Sequence, residues 1–176
     1  MIDRIVVLVA AVLFSAAALS GDKTISPELK VDLDGLVESG VVQPVGGVST
    51  AGQPDQAALE VFAKSGYTTV IDLRGAEENR GLDEPAVVES LGMRYVPFPI
   101  TGVEAISFEN AAKLDELIAS SDGPVLVHCG SSNRVGALFA LSKRLKGADP
   151  DDAMSYGVEA GLTSLAAPVQ DLLDQE

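Results

Sequence analysis

A three-layer α/β/α fold with a mostly parallel central sheet of four to five strands is predicted by three observations. Short β-branched runs alternate with amphipathic helical patterns along the 176 residues. The connections between them are brief, as expected of parallel strands covered on both faces. Hydrophobic residues make up 47% of the chain against 22% charged, enough to fill one real core and too apolar for a disordered chain.

The elements follow in chain order. Met1 to Ser20 reads as a secretory signal. Arg4 gives it a positive start beside Asp3, Ile5 to Leu19 is apolar except for Ser15, and Ala18-Leu19-Ser20 is a small-x-small cleavage pattern. Export to the periplasm or the medium is expected, with an inner-membrane anchor over residues 5–19 as the alternative. Residues 21–35 are polar and form a flexible lead-in, and residues 36–176 form one domain. A short element is expected around Leu36 and Val37. Val41-Val42 and Val45 to Val48 read as the first strands. Gly52-Gln53-Pro54 opens a helix with Pro54 at its first position and Gly66 past its end. Thr68 to Leu73 is a buried strand, Pro85 to Leu91 a short helix, and Met93 to Pro97 the next strand. Pro99 to Ala105 is a loop, and Ser107 caps a helix reaching Ser120. Val125 to Val127 is a strand, followed by a helix from Arg134 to about Leu145. Asp149-Pro150 starts another, and a last one from Thr163 or Ser164 to Leu173 carries Pro168 at a position that calls for a kink.

Charge narrows the function. The formal net charge is −14, from 12 basic and 26 acidic residues. With no basic run or basic helix face, nucleic acid is excluded as a partner, and so is an anionic membrane surface once the signal is cleaved. A single cysteine rules out an internal disulfide, and the single histidine leaves no second imidazole or thiol to complete a metal site. No metal and no organic cofactor is expected. Oligomeric state is unreadable.

Chemistry concentrates in Val125-Leu126-Val127-His128-Cys129-Gly130-Ser131-Ser132-Asn133-Arg134. A strand, a tight loop and a helix start would aim backbone N–H groups and the positive end of the helix dipole at one point. A thiol at the strand end and an arginine closing the ring are the parts of a nucleophilic site for a tetrahedral anion.

These residues resemble the signature of the cysteine-dependent protein phosphatases of dual-specificity type. The branch in question is bacterial and includes phosphatase-like domains joined to β-lactamase-like hydrolases. Ser49 to Pro54, Val70 to Arg74 with Glu77 or Glu78, Gly92 to Pro97, and Asn133 to Leu138 match further segments of that branch, in order. The resemblance implies a protein-tyrosine-phosphatase-like fold acting on phosphorylated or other anionic substrates. There are two departures. Four residues separate Cys129 from Arg134 where the family at large has five, a spacing closer to rhodanese-like sulfurtransferases, and Val135 stands where a hydroxyl residue is usual. Ser131 or Ser132 is the available substitute.

Cys129 is the expected nucleophile, its thiolate favoured by loop amides, helix start and Arg134, against a packed structural cysteine. Arg134 would grip two phosphoryl oxygens through its planar fork. Gly130, Ser131, Ser132 and Asn133 complete the phosphate cradle, and for Gly130 and Asn133 a plain turn role fits equally. His128, facing the opposite side of the strand, would order the loop or be simply half-buried. Asp72 anchors Arg74 or loop amides. The general acid is expected at Glu104, the positional match on the loop after the third strand, with Asp83 or Glu84 next. Phosphomonoester hydrolysis through a cysteinyl-phosphate is the first expectation; sulfur transfer through a Cys129 persulfide, or a non-catalytic anion-binding module, are the alternatives.

Overall fold

A computed structural model describes residues 28–175; the expected signal and most of the lead-in lie outside them. Four strands form one all-parallel sheet: β1 (Val48–Ala51), β2 (Thr69–Asp72), β3 (Arg94–Pro97) and β4 (Val125–His128), in the order β1-β4-β2-β3. The helices are α1 (Leu33–Ser39), α2 (Gln56–Lys64), α3 (Glu84–Ser90), α4 (Phe108–Ala119), α5 (Asn133–Leu145), α6 (Pro150–Glu159) and α7 (Ala166–Leu173), with a single 3₁₀ turn at Val103–Ala105. Among the described residues no helix is long and apolar enough to cross a membrane.

The alternation of side chains along each strand divides the core into two layers. Ala51, Val70 and Leu126 face α2 and α3 and pack with Leu59, Phe62 and Val88. Ile71, Val125 and Val127 face the other way, onto Leu114 of α4 and Val135, Leu138 and Leu141 of α5. His128 and Cys129 therefore leave β4 on opposite faces. The register aligns Ala51, His128, Asp72 and Pro97 in one row across the carboxyl edge of the sheet. That row is where parallel α/β sheets gather their ligands.

Short polar side chains set most helix starts. Asp32, Asp55, Asp83, Ser107 and Asp149 each accept a hydrogen bond from a first-turn backbone N–H of the helix they precede. Three sequence expectations are corrected by the structure. The second helix begins after Asp55 rather than at Pro54, because the Asp55 carboxylate reaches Ala58 N at 2.8 Å and fixes the boundary one residue beyond the proline. Residues 41–47 form no strand, since Gly46 and Gly47 both take positive φ and turn the chain before β1. Pro168 needs no kink: it lies in the first turn of α7, where its missing N–H has no intrahelical partner to lose.

The end of the lead-in is built into the sheet edge. Leu29 is buried, Val31 N donates to Thr50 O, and Thr50 N donates to Leu29 O. On the other side, α5 and α6 cross at backbone contact. A methyl group on Gly136 would land on Leu162 N and 2.5 Å from Gly157 O. Replacing Gly136 by alanine is therefore expected to destabilise the domain by about 1–3 kcal/mol or more through overpacking, measured as a lower urea midpoint; an unchanged midpoint would refute the contact.

Candidate active site

Cys129 follows the last residue of β4, a strand flanked on both sides, so the sheet fixes its position. Its N–H donates to Ala51 O at 3.4 Å, and its side chain is 1% exposed beneath the loop it opens. Gly52 pairs with Ser131, and Gln53 N donates to Gly130 O at 3.3 Å. A side chain on Gly52 would meet Gly130 O at 3.2 Å, so the close approach of these two segments depends on the glycine.

The far end of the loop is anchored to the last helices. Ser132 adopts the left-handed conformation, φ 69°, and its buried hydroxyl donates to Ala160 O at 2.7 Å. That hydroxyl is committed to the backbone of α6. Asn133 is spent likewise: Oδ1 accepts from Thr163 N at 2.8 Å and Leu165 N at 3.3 Å, and Nδ2 donates to Ser164 Oγ. Because Ser132 caps nothing with its side chain, the first N–H groups of α5 stay without an intrachain side-chain acceptor. Gly130 and Ser131 are exposed at the rim.

Arg134 does not swing free. Glu78 takes it end-on, with Nη1 donating to Oε1 at 2.6 Å and Nη2 to Oε2 at 2.8 Å. Nη1 also donates to Leu73 O and Ile100 O at 3.4 and 3.2 Å. Of the guanidinium donors this leaves Nε–H and one Nη2–H, which share one edge of the plane and form a fork for two oxygens. Nη2 is the atom that a side chain on Gly130 would approach, so this edge is turned to the loop. The Arg134 pKa is raised, mainly by the hydrogen bond to Glu78 and also by the Cys129 sulfur facing it.

Glu78 is shared. Arg74 Nε donates to Oε2 at 3.2 Å and Gly75 N to Oε1 at 2.8 Å. The Arg134 hydrogen bond above all lowers the Glu78 carboxyl from 4.5 to about 2. At neutral pH it is an ionised strut and cannot donate a proton. Arg74 is in turn held by Gln53 Oε1 through Nη1 and by Asn79 O at 2.7 Å.

Behind β4 lies a second, fully buried group. His128 Nε2 sits 2.8 Å from Glu84 Oε1 and 3.7 Å from Asp72 Oδ1, all three residues inaccessible to solvent. The distance to Glu84 is that of a hydrogen bond, but neither ring nitrogen is aligned on an acceptor, and the pair is a close polar contact only. His128 is thus wholly buried, on the face away from Cys129. Asp72 Oδ1 accepts from Arg74 N, while Oδ2 accepts from Arg80 Nε and the Tyr95 hydroxyl, both at 2.7 Å. Asp72, Glu84 and His128 bring ligand atoms within 4.8 Å of one another, a donor set of metal-binding type. Arg80 already supplies the cation there, lying also 3.6 Å from Glu84 Oε2.

Glu104 is exposed, and its carboxylate folds back over Gly102. A cleft of about 450 Å³ opens beside the loop between Glu78, Ile100, Thr101, Val103, Asn133 and Arg134. Among its lining residues Glu78 is the one carboxylate. A wider cleft of about 600 Å³ flanks Gly130 and Ser131 on the other side. Arg134 lines the first of the two. Asp83 is the N-cap of α3 and Glu84 is sealed behind the sheet. Gln53, Glu78 and Arg80 carry structural roles that sequence reasoning missed. The i,i+4 spacing of Arg74 and Glu78 was the available sign for one of them.

The Glu78 shift fixes a pH dependence. A depressed carboxyl contributes stability that is fully present above its unfolded value near 4.5 and is lost as pH falls through about 2. The stability difference between the wild type and Glu78→Gln, from denaturant titrations, is expected to be constant at neutral pH and to shrink across that window.

Residues 46–163 match the model of a family described as DSP-PTPase phosphatase fused to NAD+ kinase. The chain is 36% identical over 104 residues to the beta-lactamase hydrolase-like protein of Xylella fastidiosa, covering 57% of this chain and 24% of that protein. Its counterpart in Agrobacterium fabrum is 26% identical over 125 residues, 68% of this chain and 29% of that one. The chain thus spans roughly a quarter of the length of these curated relatives. Among solved structures, P. aeruginosa TpbA in complex with pTyr superposes with a TM-score of 0.63 at 16% identity, covering 85% of this chain and 91% of that one. The core catalytic domain of the PP-IP phosphatase SIW14 from S. cerevisiae, in complex with citrate, gives 0.57 at 15% identity, covering 77% and 85%. These distant likenesses agree on the fold, and the match over residues 46–163 decides the family: this chain belongs to the DSP-PTPase phosphatases of the type fused to NAD+ kinase.

Proposed function

We propose that the chain hydrolyses phosphomonoesters through Cys129. The thiolate attacks phosphorus, an S–P bond forms as the P–O bond to the leaving group breaks, and water then cleaves the S–P bond to release phosphate and restore the thiolate. The observation that carries this reading is the guanidinium of Arg134, held by Glu78 with its Nε–Nη2 edge toward the loop that begins at Cys129. Such an edge matches two equatorial oxygens of the transferring phosphoryl group. The uncapped start of α5 adds N–H donors at the same place. The anions held by the relatives, phosphotyrosine in TpbA and citrate in SIW14, are in keeping with a site for anionic substrates.

The acid step shapes the substrate preference. With Glu78 ionised and Glu104 folded over Gly102, no carboxylic acid stands in the cleft to protonate the leaving oxygen. Aryl phosphates, whose leaving groups need little help, are the favoured class. A working general acid is worth roughly 10²–10⁴-fold. Glu104→Gln is accordingly expected to leave turnover of alkyl and aryl phosphates alike nearly unchanged; a fall on that scale with an alkyl phosphate would instead assign Glu104 as the acid.

The four-residue spacing between Cys129 and Arg134 supports a second reading. Cys129 would take the outer sulfur of thiosulfate, releasing sulfite, and pass it from the persulfide to cyanide as thiocyanate. One panel separates the two. Vanadate-sensitive hydrolysis of aryl phosphate that disappears in Cys129→Ser supports the first, thiocyanate production the second, and phosphate binding without either activity a non-catalytic module. Under the first reading Arg134→Lys is expected to lower kcat on the order of 10²–10³-fold, since an ammonium cannot present two fixed donors; full turnover would refute the fork.

A further inference from the structure

We propose that Gln53 is the positioning residue that sets the Arg134 fork against the nucleophile loop, a role that rests on the anion site just described. Its contacts reach the start of that loop and the groups on either side of it. Its backbone N–H holds Gly130 O, immediately after the cysteine. Its side-chain oxygen receives Arg74 Nη1, and Arg74 passes the constraint through Glu78 to Arg134. Its side-chain nitrogen donates to Glu84 Oε2 at 3.0 Å, and the other oxygen of Glu84 abuts His128, immediately before the cysteine.

The chemistry of this position admits few side chains. Gln53 stands between a guanidinium, which only donates, and a buried carboxylate oxygen that accepts from it. A neutral amide offers one acceptor and one donor in a fixed plane, and so satisfies both at once. A carboxylate of the same shape has no hydrogen to give Glu84 Oε2 and would be pushed off it, drawing Arg74 out of place. An apolar side chain would take away one anchor of Arg74 and leave Asn79 O and Glu78, so the brace on Glu78 would loosen. In both cases the carboxylate that orients Arg134 loses its fixed position, while the apolar core is untouched. The geometry also explains how a residue in the turn between β1 and α2 governs a guanidinium on α5, with no contact between them.

The test uses Gln53→Glu, which is isosteric, and Gln53→Met in the full chain. Two readouts are taken. Steady-state hydrolysis of an aryl phosphate is expected to lose kcat on the order of a hundredfold, the cost of a small misplacement at a reacting centre, with KM changed far less. Alkylation of Cys129, the sole cysteine, is expected to lose its preference for anionic iodoacetate over neutral iodoacetamide, because that preference reports the cation held beside the sulfur. Thermal melts identify the folded fraction of each variant, and where Gln53→Met does not fold, the isosteric variant decides. Wild-type kcat and an unchanged alkylation ratio in folded Gln53→Glu would overturn the assignment. So would a kcat loss that merely tracks unfolded protein. If the wild type itself hydrolyses nothing, the phosphatase reading fails and the alkylation ratio alone decides the role of Gln53.

Discussion

One carboxylate between two guanidiniums organises this site. Glu78 accepts from Arg134 with both oxygens, from Arg74 with one, and from the Gly75 amide. A flexible arginine at the start of a helix would otherwise sample many rotamers and lose entropy on gripping an anion. Here that ordering is complete before a ligand arrives. Under the proposed function such preorganised charge is the larger part of what the site would supply to a transferring anion, and three segments would contribute it. Glu78 lies in the turn after β2, Arg134 on α5, and Gln53 in the turn after β1. The sheet order β1-β4-β2 makes those segments neighbours at one edge.

The second buried cluster explains how that edge stays rigid. Two carboxylates and an imidazole sit behind Cys129 without access to solvent. Burying charge is costly unless it is compensated. Asp72 is compensated by Arg80, the Tyr95 hydroxyl and the Arg74 amide. Burial first, and then the nearby Asp72 carboxylate, push the Tyr95 hydroxyl upward, so it remains a donor. Breaking one member would leave the others unsatisfied, and the network therefore ties β2, β4 and α3 to one geometry.

Much of this was legible in the chain. The strands at 69–72, 94–97 and 125–128 announce themselves as compact apolar runs bounded by glycine and proline, and the Cys129 to Arg134 spacing marks the loop. The helix starting after Asp55 was harder, because Pro54 and Asp55 are both good start signals and only the hydrogen bond to Ala58 N chooses between them. Glu84 and Arg80 were illegible for a deeper reason. They lie in an acidic, glycine-punctuated stretch that reads as a solvated loop, and the partners that fix them, Asp72 for Arg80 and Gln53 and His128 for Glu84, are brought there only by the tertiary fold. Asn133 and Ser132 looked like ligand-facing residues, yet their side chains are committed to the backbone of residues 160–165.

Those commitments tie the far end of the chain to the loop that follows Cys129. Ala160 receives the Ser132 hydroxyl, and the amides of Thr163 and Leu165 grip Asn133. Trimming from the C-terminal side therefore has a limit set by chemistry: a domain cut before residue 160 keeps its sheet and its cysteine but takes the hydroxyl acceptor from the left-handed turn at Ser132, and one cut before 165 already loses an amide that grips Asn133. A linker or carrier joined beyond α7 respects that limit, whereas one inserted between α6 and α7 does not.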